Sequence, residues 1–128
     1  MKREIGHVLV VDDDPSTCQV LTALLSTEGY QVVAAGDGLE ALHLLRTVRH
    51  RQVETPCLVL LDLNMPRLGG SEFRRAQLGD PTVSNVPVAI LSGATNAAER
   101  GNALGAVATV TKPIDFEALL SVVRRYCL

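Results

Sequence analysis

Five side chains along this chain are of the types that phosphoryl transfer uses: Asp12, Asp13, Asp62, Ser92 and Lys112. The stretch VLVVDDDPSTCQVL, residues 8–21, runs an apolar segment straight into three aspartates. At ~4 Å and an effective dielectric of ~20, two carboxylates cost each other about 4 kcal/mol. Solvent, a cation or a helix terminus must offset that repulsion. Asp14 precedes Pro15 and reads as a helix N-cap, so the helix terminus accounts for it. Asp12 and Asp13 have no such role, and with Asp62 they make a set of hard oxygen ligands that suits Mg²⁺. A lysine and a hydroxyl added to metal-bound carboxylates look built for phosphoryl transfer. The metal and Lys112 would neutralise charge on the transferring oxygens, and Ser92 would donate a hydrogen bond. One carboxylate would attack, and Asp62 is assigned that part because it stands between the acidic pair and the Ser/Lys side.

Such a set works only if the fold brings it together. Apolar runs and amphipathic stretches alternate regularly. Strands are predicted at residues 7–12, 31–35, 57–62, 87–91 and 106–110. Helices are predicted at 15–28, 39–49, 71–78, 96–104 and from 116 onward. Gly29 stops the first helix and Asp115 caps the last. The first helix is expected to face inward with Val20, Leu21, Leu24 and Leu25. The second does so with Ala41, Leu42, Leu45 and Val48, and the last with Phe116, Leu119, Leu120, Val122 and Val123. Pro66, Gly69 and Gly70 keep LNMPRLGG, residues 63–70, irregular. Five strand–helix pairs with nearly continuous apolar strands predict a flavodoxin-like α/β fold. This is a doubly wound, five-stranded parallel sheet with helices on both faces and strand order 2-1-3-4-5. In such a sheet a site forms at the carboxyl ends of the strands. Asp12, Asp13, Asp62, Ser92 and Lys112 all stand there.

Composition narrows the alternatives. The chain has 128 residues, the size of one domain, and is treated as a single domain over 1–128. It is 47% hydrophobic with no Trp, two Tyr and two Phe, so its core must be aliphatic. A net charge of −2 offers no footprint for nucleic acid or an anionic membrane. No segment resembles a signal peptide or a membrane span, and a cytoplasmic location is expected. Cys18, Cys57 and Cys127 are far apart and odd in number, and are read as buried free thiols in a reducing compartment. His7, His43 and His50 are scattered and are read as surface or strand-start residues, not phosphodonors. The glycines form no GxGxxG pattern. An FMN phosphate would meet carboxylates in the first loop instead of hydroxyls and backbone N–H groups.

The sequence resembles the receiver (phosphoacceptor) domain of two-component response regulators over about residues 7–125. The resemblance is to the single-domain, chemotaxis-regulator type. It is carried by VLVVDDDP at 8–15, LVLLDLNMPRLGG at 58–70, VAILSGA at 88–94, ALGA at 103–106 and TKPID at 111–115. The strand order is the established one for this fold, the chemotaxis regulator included. The resemblance implies that Asp62 accepts a phosphoryl group from a phosphohistidine, with Mg²⁺ as cofactor. It implies Asp13 as a direct metal ligand, Asp12 beside it through water, and the backbone carbonyl of Asn64 completing the shell. Ser92 matches the hydroxyl that swings toward the phosphoryl group, and Lys112 matches the lysine that pairs with it. Pro113 matches a proline that often follows a cis peptide bond. At the second switch position, where the family usually has an aromatic residue, stands Thr109. Gly93 stands where alanine is commoner, and the loop at 50–56 is longer than in the most compact members.

The expected role is a phosphoacceptor signalling domain, not a turnover enzyme beyond its own phosphoryl transfer and slow dephosphorylation. Its partners would be a histidine kinase or histidine phosphotransfer protein and a downstream protein target, with no direct nucleic acid or membrane contact. No DNA-binding helix-turn-helix follows the last helix, so the domain is expected either to stand alone or to belong to a larger protein such as a hybrid kinase. A monomer, or a weak homodimer through the fourth helix, fifth strand and fifth helix, is expected. A Mg²⁺-dependent phosphohydrolase with an aspartyl-phosphate intermediate is the alternative. Such enzymes usually need an acid two residues after the nucleophile, and Asn64 stands there. A non-phosphorylated scaffold is the third reading.

Overall fold

A computed structural model describes residues 7–50, 55–63, 65, 68–93 and 95–127, with no side-chain description over 47–50. Strands β1 (Val8–Val11), β2 (Val32–Ala35), β3 (Leu58–Asp62), β4 (Val88–Ser92) and β5 (Ala108–Thr111) alternate with five helices. These are α1 (Pro15–Thr27), α2 (Gly38–His50), α3 (Gly70–Leu78), α4 (Ala97–Ala103) and α5 (Phe116–Tyr126). The strands pair in parallel in the order β2-β1-β3-β4-β5, as the sequence predicts.

The sheet is buried on both faces because its central strands are apolar at every position except the last of β3, Asp62, and of β4, Ser92. Every residue of β1, β3 and β4 is buried. Alternate side chains serve opposite layers. Leu9, Val11, Val59, Leu61 and Ile90 join Ala41, Leu45 and Phe73 on the α2/α3 side. Val8, Val10, Leu58, Leu60 and Leu91 join Leu21, Leu25, Leu119, Leu120 and Val123 on the α1/α5 side. β2 is an edge strand and only its last residue, Ala35, is buried.

Local chemistry sets the helix starts. The Asp14 carboxylate accepts from the Ser16 N–H at 3.0 Å and from the Thr17 hydroxyl at 3.0 Å, ahead of Pro15 at the first helical position. Asp115 accepts from the Glu117 N–H at 3.0 Å in the same way. At α2, Asp37 accepts from the Glu40 N–H at 2.9 Å while Glu40 accepts from the Gly36 N–H at 2.6 Å, a reciprocal pair that satisfies two donors. Gly70 opens α3 against the backbone leaving β3. A Cβ there would lie 2.7 Å from the Asp62 carbonyl oxygen and from the Leu63 Cα. Only glycine lets α3 begin so close to the end of β3.

Several expectations need correction. Leu21 and Leu25 are buried on α1, but Val20 is 56% exposed and Leu24 38%. The buried stripe of α1 is narrower than its periodicity predicts, with Leu21 and Leu25 facing β1 and β2. On α5, Phe116 and Val122 are half-buried at the margins of the inner row. His7 directly precedes β1, as a strand-start residue would, and is buried there. Val48 and His50 have side chains outside those described. Cys57 and Cys127 are not free thiols but are joined in a disulfide, their Cα atoms 5.3 Å apart across 70 residues of sequence. No local spacing announces that pairing, because only the packing of α5 against the sheet brings the two together. Cys18 is free. Among the described residues, no helix is long and apolar enough to cross a membrane.

Candidate functional site

The carboxyl end of β1 delivers Asp12 and Asp13, and the end of β3 delivers Asp62. β1 and β3 are neighbours in the sheet, with Val11 opposite Leu61, so the next residues on each strand converge. One carboxylate oxygen from each of Asp12, Asp13 and Asp62 lies within 4.8 Å of the others. Asp12 and Asp62 are buried and Asp13 is exposed. The cluster is therefore roofed by protein on one side and open to solvent on the other.

The protein supplies part of the charge compensation itself. Asp12 Oδ1 accepts from the Asp14 N–H at 2.9 Å, at the head of α1. Asp12 Oδ2 accepts from Lys112 Nζ at 3.0 Å, and the same ammonium stands 3.6 Å from Asp62 Oδ1. Burial pulls the Lys112 pKa down, but the hydrogen bond and charge of Asp12, followed by those of Asp62, outweigh it and hold the pKa above the ordinary lysine value. Lys112 is thus a cation at physiological pH, reaching from the end of β5 to carboxylates on β1 and β3, neither of which pairs with β5.

Ser92 ends β4 and is buried. Asp62 pairs with Leu91 and Ser92 pairs with Thr111, so Ser92 stands between the Asp62 strand and the Lys112 strand. The Lys112 N–H donates to the Ser92 carbonyl at 2.9 Å, joining the two residues through backbone as well. The Lys112–Pro113 peptide bond is cis. Asp12, Asp13, Asp62 and Lys112 are brought to one spot, with Ser92 on the adjoining strand end. Thr109 is not part of that spot. It lies half-buried on β5 under Gly101 of α4. Asn64 lies outside the described residues.

Three carboxylates of mixed exposure offer hard oxygens with room for water ligands, the donor set a magnesium ion takes. A soft-metal reading finds no support here, because the nearby Cys18 thiol points elsewhere. Its Sγ–H donates to the Asp12 carbonyl at 3.4 Å. Burial pushes the Cys18 thiol up, and the Asp12 and Asp14 charges push it further, so it stays protonated.

Two features were not read from the sequence, one beside the site and one away from it. A groove of about 350 Å³ runs from Lys112 and Pro113 between α1 and the start of α5, lined by Val20, Leu24, Ile114 and Phe116. Val20 and Leu24, both exposed, form part of its apolar floor. On the other face, the buried Arg74 of α3 donates from Nε to the Leu104 carbonyl at 2.9 Å and from Nη2 to the Gly105 carbonyl at 3.1 Å. Its Nη1 reaches Gln77 Oε1 at 2.7 Å, and Gln77 Nε2 donates to the carbonyls of Val83 and Val86 at 3.0 Å each. No spacing signal in the sequence marks residues 74 and 77 as interior.

The family model of the response regulator receiver domain matches residues 8–124. Protein PilH of Pseudomonas aeruginosa is 34% identical over 121 residues, covering 93% of this chain and 95% of PilH. The DNA-binding response regulator MtrA of Mycolicibacterium smegmatis is 38% identical over 120 residues, 92% of this chain but 49% of MtrA. The chain therefore spans nearly all of the one relative and about half of the other. Among solved structures, chemotaxis protein CheY4 of Vibrio cholerae superposes with a TM-score of 0.80 at 30% identity, covering 96% of this chain and 99% of that one. A response regulator receiver protein from Pseudomonas putida gives 0.81 at 28% identity, with 97% and 99% covered.

Proposed function

The chain belongs to the response regulator receiver domain family of two-component systems, and on that premise we propose that Asp62 accepts a phosphoryl group from the phosphohistidine of a histidine kinase or histidine phosphotransfer protein. A carboxylate oxygen of Asp62 attacks phosphorus, the P–N bond to the donor imidazole breaks, and an acyl phosphate forms. The observation that carries this reading is the convergence of Asp12, Asp13, Asp62 and Lys112 at one end of the sheet.

Each residue has a part that its position supports. Asp13, open to solvent, would hold Mg²⁺ directly, with Asp62 beside it and Asp12 acting through water. The family resemblance adds the backbone carbonyl of Asn64. When bound, the ion would neutralise charge on the phosphoryl oxygens. Lys112 does the same from the opposite flank, starting 3.6 Å from Asp62 Oδ1. The Ser92 hydroxyl, at the next strand end, turns to hydrogen-bond a phosphoryl oxygen. That turn shifts the balance between two pre-existing arrangements of α4, β5 and α5. Thr109 takes the second switch position without an aromatic ring to report it.

The whole of residues 1–128 is read as one such domain, working in the cytoplasm on protein partners. Output, and any weak homodimer, would use the α4-β5-α5 face. The phosphodonor partner would approach over α1, where the apolar groove ends at Lys112.

Incubation with Mg²⁺ and acetyl phosphate tests the assignment by intact mass. One phosphoryl adduct is expected, abolished by Asp62→Ala and by chelation of Mg²⁺. Absence of an adduct together with absence of Mg²⁺ binding would leave a scaffold instead. Rapid turnover of many phosphomonoesters would indicate a hydrolase.

A further inference from the structure

The pole of the molecule opposite Asp62 carries the Cys57–Cys127 bond. Cys57 immediately precedes β3, the strand that ends in Asp62, so the length of that strand separates the disulfide from the carboxylates. Cys127 caps the C-terminus of α5, its N–H donating to the Val123 carbonyl at 2.7 Å. Their Cα separation of 5.3 Å lies within the range that a disulfide spans without backbone movement.

The surroundings suit both oxidation states. The Cys57 N–H donates to the His7 carbonyl at 3.0 Å, and that carbonyl lies 3.4 Å from Cys57 Sγ, an acceptor ready for the thiol once the bond opens. Cys127 sits among Val8, Leu58 and Val123, where a reduced thiol behaves as a small hydrophobe. Reduction thus leaves no buried polar atom stranded, and oxidation asks no rearrangement of the chain. Cys57 is half-buried and Cys127 is 1% exposed, so a reagent meets Cys57 first.

We propose that Cys57 and Cys127 are a reversible redox pair that staples the last turn of α5 to the foot of β3 when oxidised and releases it when reduced. The oxidant is a small-molecule disulfide such as oxidised glutathione. The Cys57 thiolate attacks it, forms a mixed disulfide and expels one glutathione thiolate. The Cys127 thiolate then attacks the Cys57 sulfur and expels the second. Two protein thiols are oxidised and one glutathione disulfide is reduced to two thiols. A thiol reductant runs the same steps backward. The closed loop of 70 residues makes the staple a stability device for α5, independent of whether Asp62 takes a phosphoryl group.

The test compares the full chain after oxidised glutathione and after dithiothreitol. Alkylation followed by intact mass should label Cys18 alone in the oxidised form and all three cysteines in the reduced, unfolded form. The oxidised form should melt on the order of 10 °C higher, and hydrogen exchange in the last turn of α5 should quicken on reduction. Cys18→Ser should keep both responses, and Cys57→Ser should lose both. If Cys57→Ser does not fold, Cys127→Ala and the wild-type pair of states carry the comparison. Three alkylatable thiols after oxidation, or oxidised and reduced forms that melt within ~2 °C of each other, would overturn the proposal.

Discussion

Gly101 of α4 is seated directly on Thr109 of β5, so closely that a Cβ at 101 would collide with the threonine hydroxyl. Ile90 of β4 closes the same contact from beside it, 3.7 Å from that Cβ position. α4 therefore lies against the sheet through a glycine and a small β-branched residue. A large ring at 109 could not turn inward beneath α4 as now placed. The absence of an aromatic residue at 109 and the glycine at 101 are two sides of one packing solution.

That contact predicts a change of sign. Replacing a helical glycine by alanine ordinarily gains up to ~1 kcal/mol. Here the added methyl has no room, and overpacking costs about 1–3 kcal/mol. Gly101→Ala should therefore destabilise the protein by about 1 kcal/mol or more in urea unfolding. In a Thr109→Ala background the colliding oxygen is gone, and the same substitution should become neutral or stabilising. If Gly101→Ala has the same effect in both backgrounds, the contact does not govern how α4 sits.

Arg74 supplies the second prediction. Its guanidinium is buried and meets carbonyls and an amide, with no carboxylate among the bonds described. Burial lowers its pKa, but a guanidinium remains charged at any working pH. Arg74→Ala would leave the Leu104 and Gly105 carbonyls and Gln77 Oε1 short of donors and open a void. The expected cost is about 3 kcal/mol by denaturant unfolding. Arg74→Met with Gln77→Met removes both polar groups and fills the space. It should recover part of that loss, although the Val83 and Val86 carbonyls then lose their donor. A double variant worse than the sum of its parts would contradict this account.

Much of this molecule was legible in its sequence because the decisive signals are local. Unbroken apolar runs mark the buried strands, Asp14 and Asp115 mark helix starts, and acids placed where a strand ends mark the site. What was not legible depends on contacts between distant segments. Cys57 and Cys127 meet only because α5 packs beside the sheet. Arg74 and Gln77 become interior only because the C-terminus of α4 needs donors that α3 can reach. Val20 and Leu24 look like core by periodicity, yet both are exposed and line the groove beside Lys112.

The ammonium of Lys112 and a metal ion would share the same carboxylates, and they repel. Lys112→Gln removes a positive charge 3.0 Å from Asp12 and 3.6 Å from Asp62. Mg²⁺ should then bind about tenfold more tightly, ~1.4 kcal/mol, by isothermal titration at low salt. The same variant should lose most of its acyl phosphate formation from acetyl phosphate, since the positive flank is gone. Weaker Mg²⁺ binding in the variant would mean that Lys112 organises the acids instead of competing for them.

His7 links stability to pH. Burial lowers its pKa from the usual 6.5, so the folded protein holds His7 neutral where the unfolded chain begins to take a proton. The unfolded state therefore binds more protons as pH falls below 6.5, and stability drops in that direction. Well above 6.5 both states are neutral and the effect vanishes. A melting temperature followed from pH 8 to pH 5 should fall at the acid end, and His7→Gln should flatten that part of the curve. An unchanged slope in the variant would assign the loss to other groups.

If Asp62 is the phosphoacceptor proposed above, the groove beside Lys112 should separate two routes of phosphorylation. A small donor such as acetyl phosphate needs only the carboxylates, the lysine and the metal, whereas a protein donor must also dock. Val20 is 56% exposed and Leu24 38%, and both line the apolar floor that leads to Lys112. Val20→Asp or Leu24→Asp places a charge on that floor without entering the core, so stability should change by less than about 1 kcal/mol. Transfer from a phosphohistidine-bearing partner that phosphorylates the wild type should slow by about tenfold or more, the loss of one buried aliphatic contact plus an unpaired charge. Adduct formation from acetyl phosphate should stay within about twofold, a free-energy change below ~0.5 kcal/mol. Equal loss from both donors would place the effect in the chemistry instead of docking, and no loss from the protein donor would move the docking face away from α1.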